Sequence, residues 1–231
     1  MFKGLYDNFK HWFHEGKGQV WFYSDPHFAD EEMKYLRANY IGDEEQVKRI
    51  NSKIGKWDTL VILGDIGDTE FVKKLRGYKV LVMGNHDAGA SNYKRVVQEK
   101  KIKVWSEYEP HFTRKGEYDW EGGYIYHEDI IQPAFDNHLF DEVYEGALTI
   151  AEKLILSHEP IDFPYALNIH GHDHSKWHQE DNMHWNMCAE HINYTPICLK
   201  HIIESGRLKT IPTIHRETIG KATERKLKRG I

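Results

Sequence analysis

Short apolar runs, each cut off by polar turn residues, recur through the first ninety positions. Gln19-Val20-Trp21-Phe22-Tyr23, Thr59-Leu60-Val61-Ile62-Leu63 and Tyr78-Lys79-Val80-Leu81-Val82-Met83 are five or six residues long and rich in β-branched and aromatic side chains, which predicts strands. The second run is continuously apolar, the mark of a strand buried on both faces. Between the runs the spacing predicts helices over 30–40, over 43–54 with Asp43 as N-cap, and over 69–76. Alternating strands and helices predict an α/β sheet. Upstream, Phe2, Leu5, Tyr6, Phe9, Trp12 and Phe13 recur at three- and four-residue intervals. That is an amphipathic helix whose aromatic stripe packs on the protein's own body, closed by Gly16 and Gly18. Residues 91–98 read as helical and 102–105 as a strand. No period persists over 106–137, which contains Pro110 and Pro133; it reads as an insertion carrying a strand such as 124–126, either near a substrate cleft or as a surface decoration. From Leu139 onward, 141–144 and 148–150 read as a strand pair, 153–156, 166–170 and 183–188 as further strands, and 198–204 as a helix.

Composition narrows the class. The 231 residues suit a single domain with a proper core, and 29% charged against 40% hydrophobic residues is ordinary for a globular protein. No apolar stretch approaches the roughly 18 residues of a membrane span, and Met1-Phe2-Lys3 opens without a signal-peptide core. Two cysteines, Cys188 and Cys198, ten apart, predict a thiol-reduced, cytoplasmic protein. Charge is uneven: 207–231 holds eight Lys/Arg against Glu217 and Glu224, a net of +6, so an overall charge of −5 leaves −11 for the remainder. The sixteen histidines are many for this length, and imidazole is the commonest metal-ligand side chain.

The histidines are not scattered. Five strand ends carry polar clusters: Asp25 and His27; Gly64-Asp65 with Asp68; Gly84-Asn85-His86-Asp87; His158; and Gly171-His172 with His174. In an open α/β sheet the carboxyl ends of the strands line one cleft, so residues distant in sequence meet there. The donors are carboxylates, imidazoles and one amide, a set suited to Mn, Fe, Zn or Ni, with Mg also accommodated.

In this order the clusters resemble the full signature of the calcineurin-like metallophosphoesterase superfamily, over residues 25–174, and specifically its small bacterial and phage-type branch. The resemblance implies a four-layer αββα sandwich over 1–231, elaborated by the N-terminal helix, the insertion and a basic tail at 207–231. It implies two divalent ions, Mn²⁺ first among them, with Asp25, His27 and His174 on one, Asn85, His158 and His172 on the other, and Asp65 bridging. His86 would protonate the leaving group, Asp87 would orient its ring, and Asp68 would support the ligands from behind. Paired ions about 3.5–4 Å apart clamp phosphoryl oxygens and acidify a water, and a positioned imidazole adds typically 10²–10⁴-fold. The implied function is hydrolysis of a phosphomonoester or phosphodiester, nucleotides included among the candidate substrates; no residue singles out the substrate.

Other readings fit less of the text. His170-Gly171-His172-Asp173-His174 does not supply the His-x-His-x-Asp-His of metallo-β-lactamases, and an early Asp25-x-His27 replaces the His-x-His of amidohydrolases. Thr69 after Asp68 and Asp87 after His86 depart from the Ser/Thr protein phosphatases of the same superfamily. The alternative from another class is a binding scaffold on the same fold, for protein or nucleic acid, with a degenerate metal site; retention of His86 argues for the enzyme.

Overall fold

The computed structural model describes residues 5–87, 98–104, 128–134, 139–175 and 181–229. The chain divides into two compact units, Met1–Ala90 with Leu139–Ile231, and Ser91–His138. In the second unit, β4 (Gln98–Val104) and β5 (Glu128–Ala134) form an antiparallel ladder, Gln98 opposite Ala134. The strand expected at 102–105 therefore starts earlier, and the unit reaches back to Ser91. Of the helix expected over 91–98, Gln98 instead opens β4, while residues 91–97, the strand at 124–126 and most of the insertion lie outside the described residues.

The first unit carries two mixed sheets and its helices. One sheet holds β1 (Val20–Tyr23), β2 (Thr59–Ile62), β3 (Tyr78–Val82) and β6 (Glu142–Tyr144), all parallel, with β11 (Ile197–Cys198) antiparallel on the β1 edge. The other places β10 (His184–Asn186), β9 (Leu167–His170) and β8 (Leu154–Leu156) in parallel, with β7 (Leu148–Ala151) antiparallel to β8. Both sheets feed one core: Phe22, Val61 and Val80 of the first meet Ile150, Leu156 and Ile169 of the second in a single buried cluster. Each such side chain contributes roughly 1.5–3 kcal/mol by leaving water. Register keeps Phe22, Val61 and Val80 on one face, while Tyr23, Ile62 and Leu81 on the opposite face are equally buried. Helix α2 (Asp43–Lys53) covers that second face, the Tyr23 hydroxyl donating to Gln46 Oε1 at 2.5 Å.

Several local expectations are corrected. The N-terminal helix is 3₁₀ over Asp7–Gly16, broken where His14 and Glu15 take left-handed φ of 44° and 60°. Its aromatic stripe does pack inward: Phe9 and Trp12 join Leu5 in the core. Helix α1 is only Met33–Leu36. Asp43 is the first helical residue of α2 rather than its cap, because its carboxylate is taken by the Ala29 N–H and the Tyr40 hydroxyl of the preceding loop. Helix α3 is Thr69–Val72. The segments at 141–144 and 148–150 do not pair: β6 adds to β3 and β7 to β8, so the chain changes sheet between them. After α4 (Leu199–Glu204) the basic tail is helical, as α5 (Arg207–Thr210) and α6 (Ile214–Lys228). Lys153 Nζ ties α5 down by donating to the carbonyls of Leu208 and Ile211, a cation placed at a helix C-terminus. No helix among the described residues is long and apolar enough to cross a membrane.

Candidate metal centre

Because β1, β2 and β3 are parallel, the residues that follow them emerge on one edge of their sheet; β8, β9 and β10 do the same on theirs. A parallel bridge from Ser24 to Cys188 joins the two edges. Five strand ends thereby deliver Asp25, His27, Asp65, Asn85, His158, His172 and His174 to one place, as the motif spacing predicts.

The seven side chains form two groups around Asp65. In the first, Asp25 Oδ1 lies 3.8 Å from His27 Nε2 and 3.6 Å from His174 Nε2. In the second, Asn85 Oδ1, His158 Nε2 and His172 Nδ1 sit within 2.8–3.1 Å of one another. Asp65 Oδ2 stands between them, 3.6 Å from His27 Nε2 and 3.4 Å from His158 Nε2. Asp25 with His27 and His174, and Asp65 with His158 and His172, each bring three donor atoms close enough to hold one ion. The donor set fits divalent cations on a further count. Asp25 Oδ1 and His27 Nε2 are buried polar atoms without a hydrogen-bond partner, a state that costs about 1–3 kcal/mol per group unless something compensates it.

The motif glycines make this convergence sterically possible. A Cβ on Gly84 would fall 2.2 Å from Asp65 Oδ1, and one on Gly171 1.8 Å from Ser24 Oγ and 2.2 Å from Asp25 Oδ2. Gly84 is thus required for close approach and not for a left-handed turn, since positive φ belongs to Gly64 instead, at 87°. Four ligands themselves adopt left-handed φ: Asp25 at 52°, His27 at 44°, Asp65 at 51° and His172 at 64°. Backbone outliers of this kind gather at functional sites.

A set of residues the spacing does not mark holds the ligands from behind. Asp25 Oδ2 accepts from Ser24 Oγ at 2.5 Å, from the His172 N–H at 2.9 Å and from the Cys188 thiol at 3.3 Å, leaving Oδ1 to face the centre. His158 Nδ1 lies 2.8 Å from the Leu63 carbonyl, His27 Nδ1 3.5 Å from Asp30 Oδ2, and His174 Nδ1 2.6 Å from Glu190 Oε1. Metal-binding histidines commonly anchor their second nitrogen in this way. Arg37, buried, meets Glu190 Oε2 at 3.1 Å and donates to the Asp25 carbonyl at 2.7 Å. Asp30 stands three residues after His27 and was open to notice; Arg37 and Glu190 meet only in three dimensions.

Electrostatics separate the histidines. Burial pulls His27 below its ordinary value. Burial also opposes charge on His158, but the Asp65 hydrogen bond and the charges of Asp25 and Asp65 win, lifting it to about 9. Burial would raise Asp65; its contacts with His158 and the His86 N–H keep it lowered instead. Near neutral pH His158 is therefore protonated, a proton it would have to give up to serve as a metal ligand. Burial pushes the Cys188 thiol well up, so it acts as a donor to Asp25.

Two expected roles change. Asp87 does not orient His86: its carboxylate accepts from the backbone N–H groups of Asp65, Gly84 and Ile66 at 2.9, 2.9 and 3.2 Å, clamping the β2 and β3 loops together. The buried carboxylate had a nearer claim in three backbone donors. Asp68 is exposed and caps α3 by accepting from the Glu70 N–H, so it supports no ligand side chain. His86 stands at the rim, its side chain 64% exposed, with Nε2 3.9 Å from Asp65 Oδ2 and its N–H donating to Asp65 Oδ1. His170 is buried, with its ring 5.7 Å from that of His184 and its Nδ1 at the Gly171 carbonyl.

No family model matches the chain, and no curated protein matches it. A solved structure does: a protein of unknown function from Aquifex aeolicus, 21% identical, with a TM-score of 0.53 over 81% of this chain and 98% of that one. That likeness speaks to the fold alone.

Proposed function

We propose that this chain is a phosphoesterase of the calcineurin-like metallophosphoesterase type, its sheets and helices forming that family's αββα sandwich. It would hydrolyse a phosphomonoester or phosphodiester with two divalent ions bound. The observation that carries the reading is the pair of adjacent donor groups, Asp25–His27–His174 and Asp65–His158–His172, with Asp65 Oδ2 also 3.6 Å from His27 Nε2 and two buried donor atoms left unpartnered. Asp25, His27 and His174 would hold one ion, Asn85, His158 and His172 the other, and Asp65 both. When bound, such ions neutralise phosphoryl charge and bring the pKa of a water toward 7.

The chain's own residues supply the rest. Asp87 and the motif glycines fix the loops so that Asp65 and Asn85 hold position before substrate arrives, which is the preorganisation that electrostatic catalysis needs. Asn85 adds a neutral oxygen and so limits the negative charge facing a phosphate. His86, exposed beside Asp65, is placed to meet a substrate entering from solvent and to hand a ring proton to the departing alkoxide. Its orientation comes from its backbone anchor on Asp65 and not from Asp87.

The test is to load the full chain with Mn²⁺ and compare p-nitrophenyl phosphate with bis-p-nitrophenyl phosphate. Turnover of either that disappears in Asp65→Asn supports the proposal, and the ratio of the two assigns mono- or diester preference. Absence of turnover on both, with metal bound, favours the scaffold reading.

A further inference from the structure

His174 presents a choice that the ligand set leaves open. Its side chain is 38% exposed, so it can turn, and either ring nitrogen can face the centre. The structure closes that choice through a chain of contacts. His174 Nδ1 meets Glu190 Oε1 at 2.6 Å, leaving Nε2 directed to Asp25 Oδ1 at 3.6 Å. Glu190 is itself ion-paired, its Oε2 3.1 Å from Nε of an Arg37 side chain that is 1% exposed, a close charge contact outside hydrogen-bond geometry. The same guanidinium donates through Nη2 to the main-chain carbonyl of Asp25 at 2.7 Å. Arg37 and Glu190 thus tie the backbone of one donor to the ring of another, and both donors serve the same group. Among the described residues the second group shows no such tie: His158 leans on a backbone carbonyl, and His172 points Nδ1 at Asn85.

We infer that Glu190, fixed by Arg37, is a positioning residue for the ion of the Asp25–His27–His174 group, holding the His174 proton on Nδ1 so that Nε2 is the ligand. This rests on the metal reading above. A planar guanidinium suits the task because it engages a carboxylate and a carbonyl at once from a fixed fork. Loss of a partner that anchors a ligating histidine typically costs 10–100-fold in metal affinity.

Calorimetric titration of the full chain with Mn²⁺ tests this without reference to turnover. Wild type is expected to bind two ions. In Glu190→Gln one binding step should weaken by about 10–100-fold while the other stays at its wild-type value. Asn85→Ala should weaken the complementary step, which assigns the two. Wild-type affinity at both steps in Glu190→Gln overturns the inference and leaves the metal reading intact. A wild-type chain that takes up no ion refutes that reading, and this one with it. A second measurement needs no substitution and so survives a variant that fails to fold. Histidine ¹⁵N NMR of the Zn²⁺-loaded wild type should find the His174 proton on Nδ1; a proton on Nε2 overturns the assignment.

Discussion

The molecule contains two knots of polar side chains at the margin of its core, and they differ in one respect. Glu142 receives the Tyr144 hydroxyl at 2.5 Å, the Tyr78 hydroxyl at 2.8 Å and the Trp12 indole at 3.1 Å, and meets His11 at 2.5 Å. Every lone pair has a taker, and the knot joins the N-terminal 3₁₀ helix to β3 and β6. The centre around Asp65 is also buttressed from behind, yet Asp25 Oδ1 and His27 Nε2, and Arg37 Nε and Glu190 Oε2 in the buttress, have no hydrogen-bond partner. A buried network that satisfies itself stabilises a fold, whereas buried donors and acceptors left unpaired call for some compensation, an ion or a water among the candidates. Acidic and aromatic content alone does not separate the two.

That contrast can be broken at its strongest point first. Asp65→Asn removes the shared oxygen's charge and should abolish hydrolysis and reduce bound metal, as read by activity and by metal analysis; Glu142→Gln should leave both unchanged. Chelator treatment should silence the wild-type chain, and added Mn²⁺ should restore it. His86→Ala should keep its metal and slow substrates with poor leaving groups by about 10²–10⁴-fold, sparing good ones; equal slowing of both would remove His86 as proton donor. Gly171→Ala should weaken metal binding through the clash at Asp25, again by titration.

The smallest effect belongs to the satisfied knot. Glu142→Gln should cost about 1–2 kcal/mol in urea unfolding. Burial would raise the Glu142 carboxyl, but the bonds from Tyr144, His11, Tyr78 and Trp12 outweigh it and hold it below its ordinary 4.5. A depressed value means that the carboxylate stabilises the fold above pH 4.5 and loses that contribution as pH falls through its folded value. The gap between wild type and Glu142→Gln should therefore narrow below pH 4.5; a gap that widens there contradicts the assignment.

The contrast also marks what the sequence discloses. Strand ends are legible because an apolar run that stops at a donor is a local pattern, and β1, β2, β3, β8 and β9 all end at or one residue before the end of their runs. The seven donors follow from that. Arg37 and Glu190 are illegible because their contact crosses 153 positions and no motif marks either residue. Asp87 and Asp68 misled for a related cause: a carboxylate near a motif can serve backbone N–H groups as readily as a side chain, and only geometry tells which. The route of the chain between β6 and β7 was hidden because both segments read as strands and nothing local says which sheet takes each.

The left-handed φ of Asp25, His27, Asp65 and His172 has a consequence for how the centre is dissected by mutation. Asp, Asn and His are metal donors and also the residues, after glycine, most at home at positive φ. If these residues coordinate metal, coordination and backbone would select the same side chains at these four positions. An alanine there removes a donor and adds backbone cost of about 1–2 kcal/mol, so an alanine scan would overstate the value of each ligand. Asparagine keeps the backbone tolerance and changes the donor alone, which makes it the cleaner probe at these four positions.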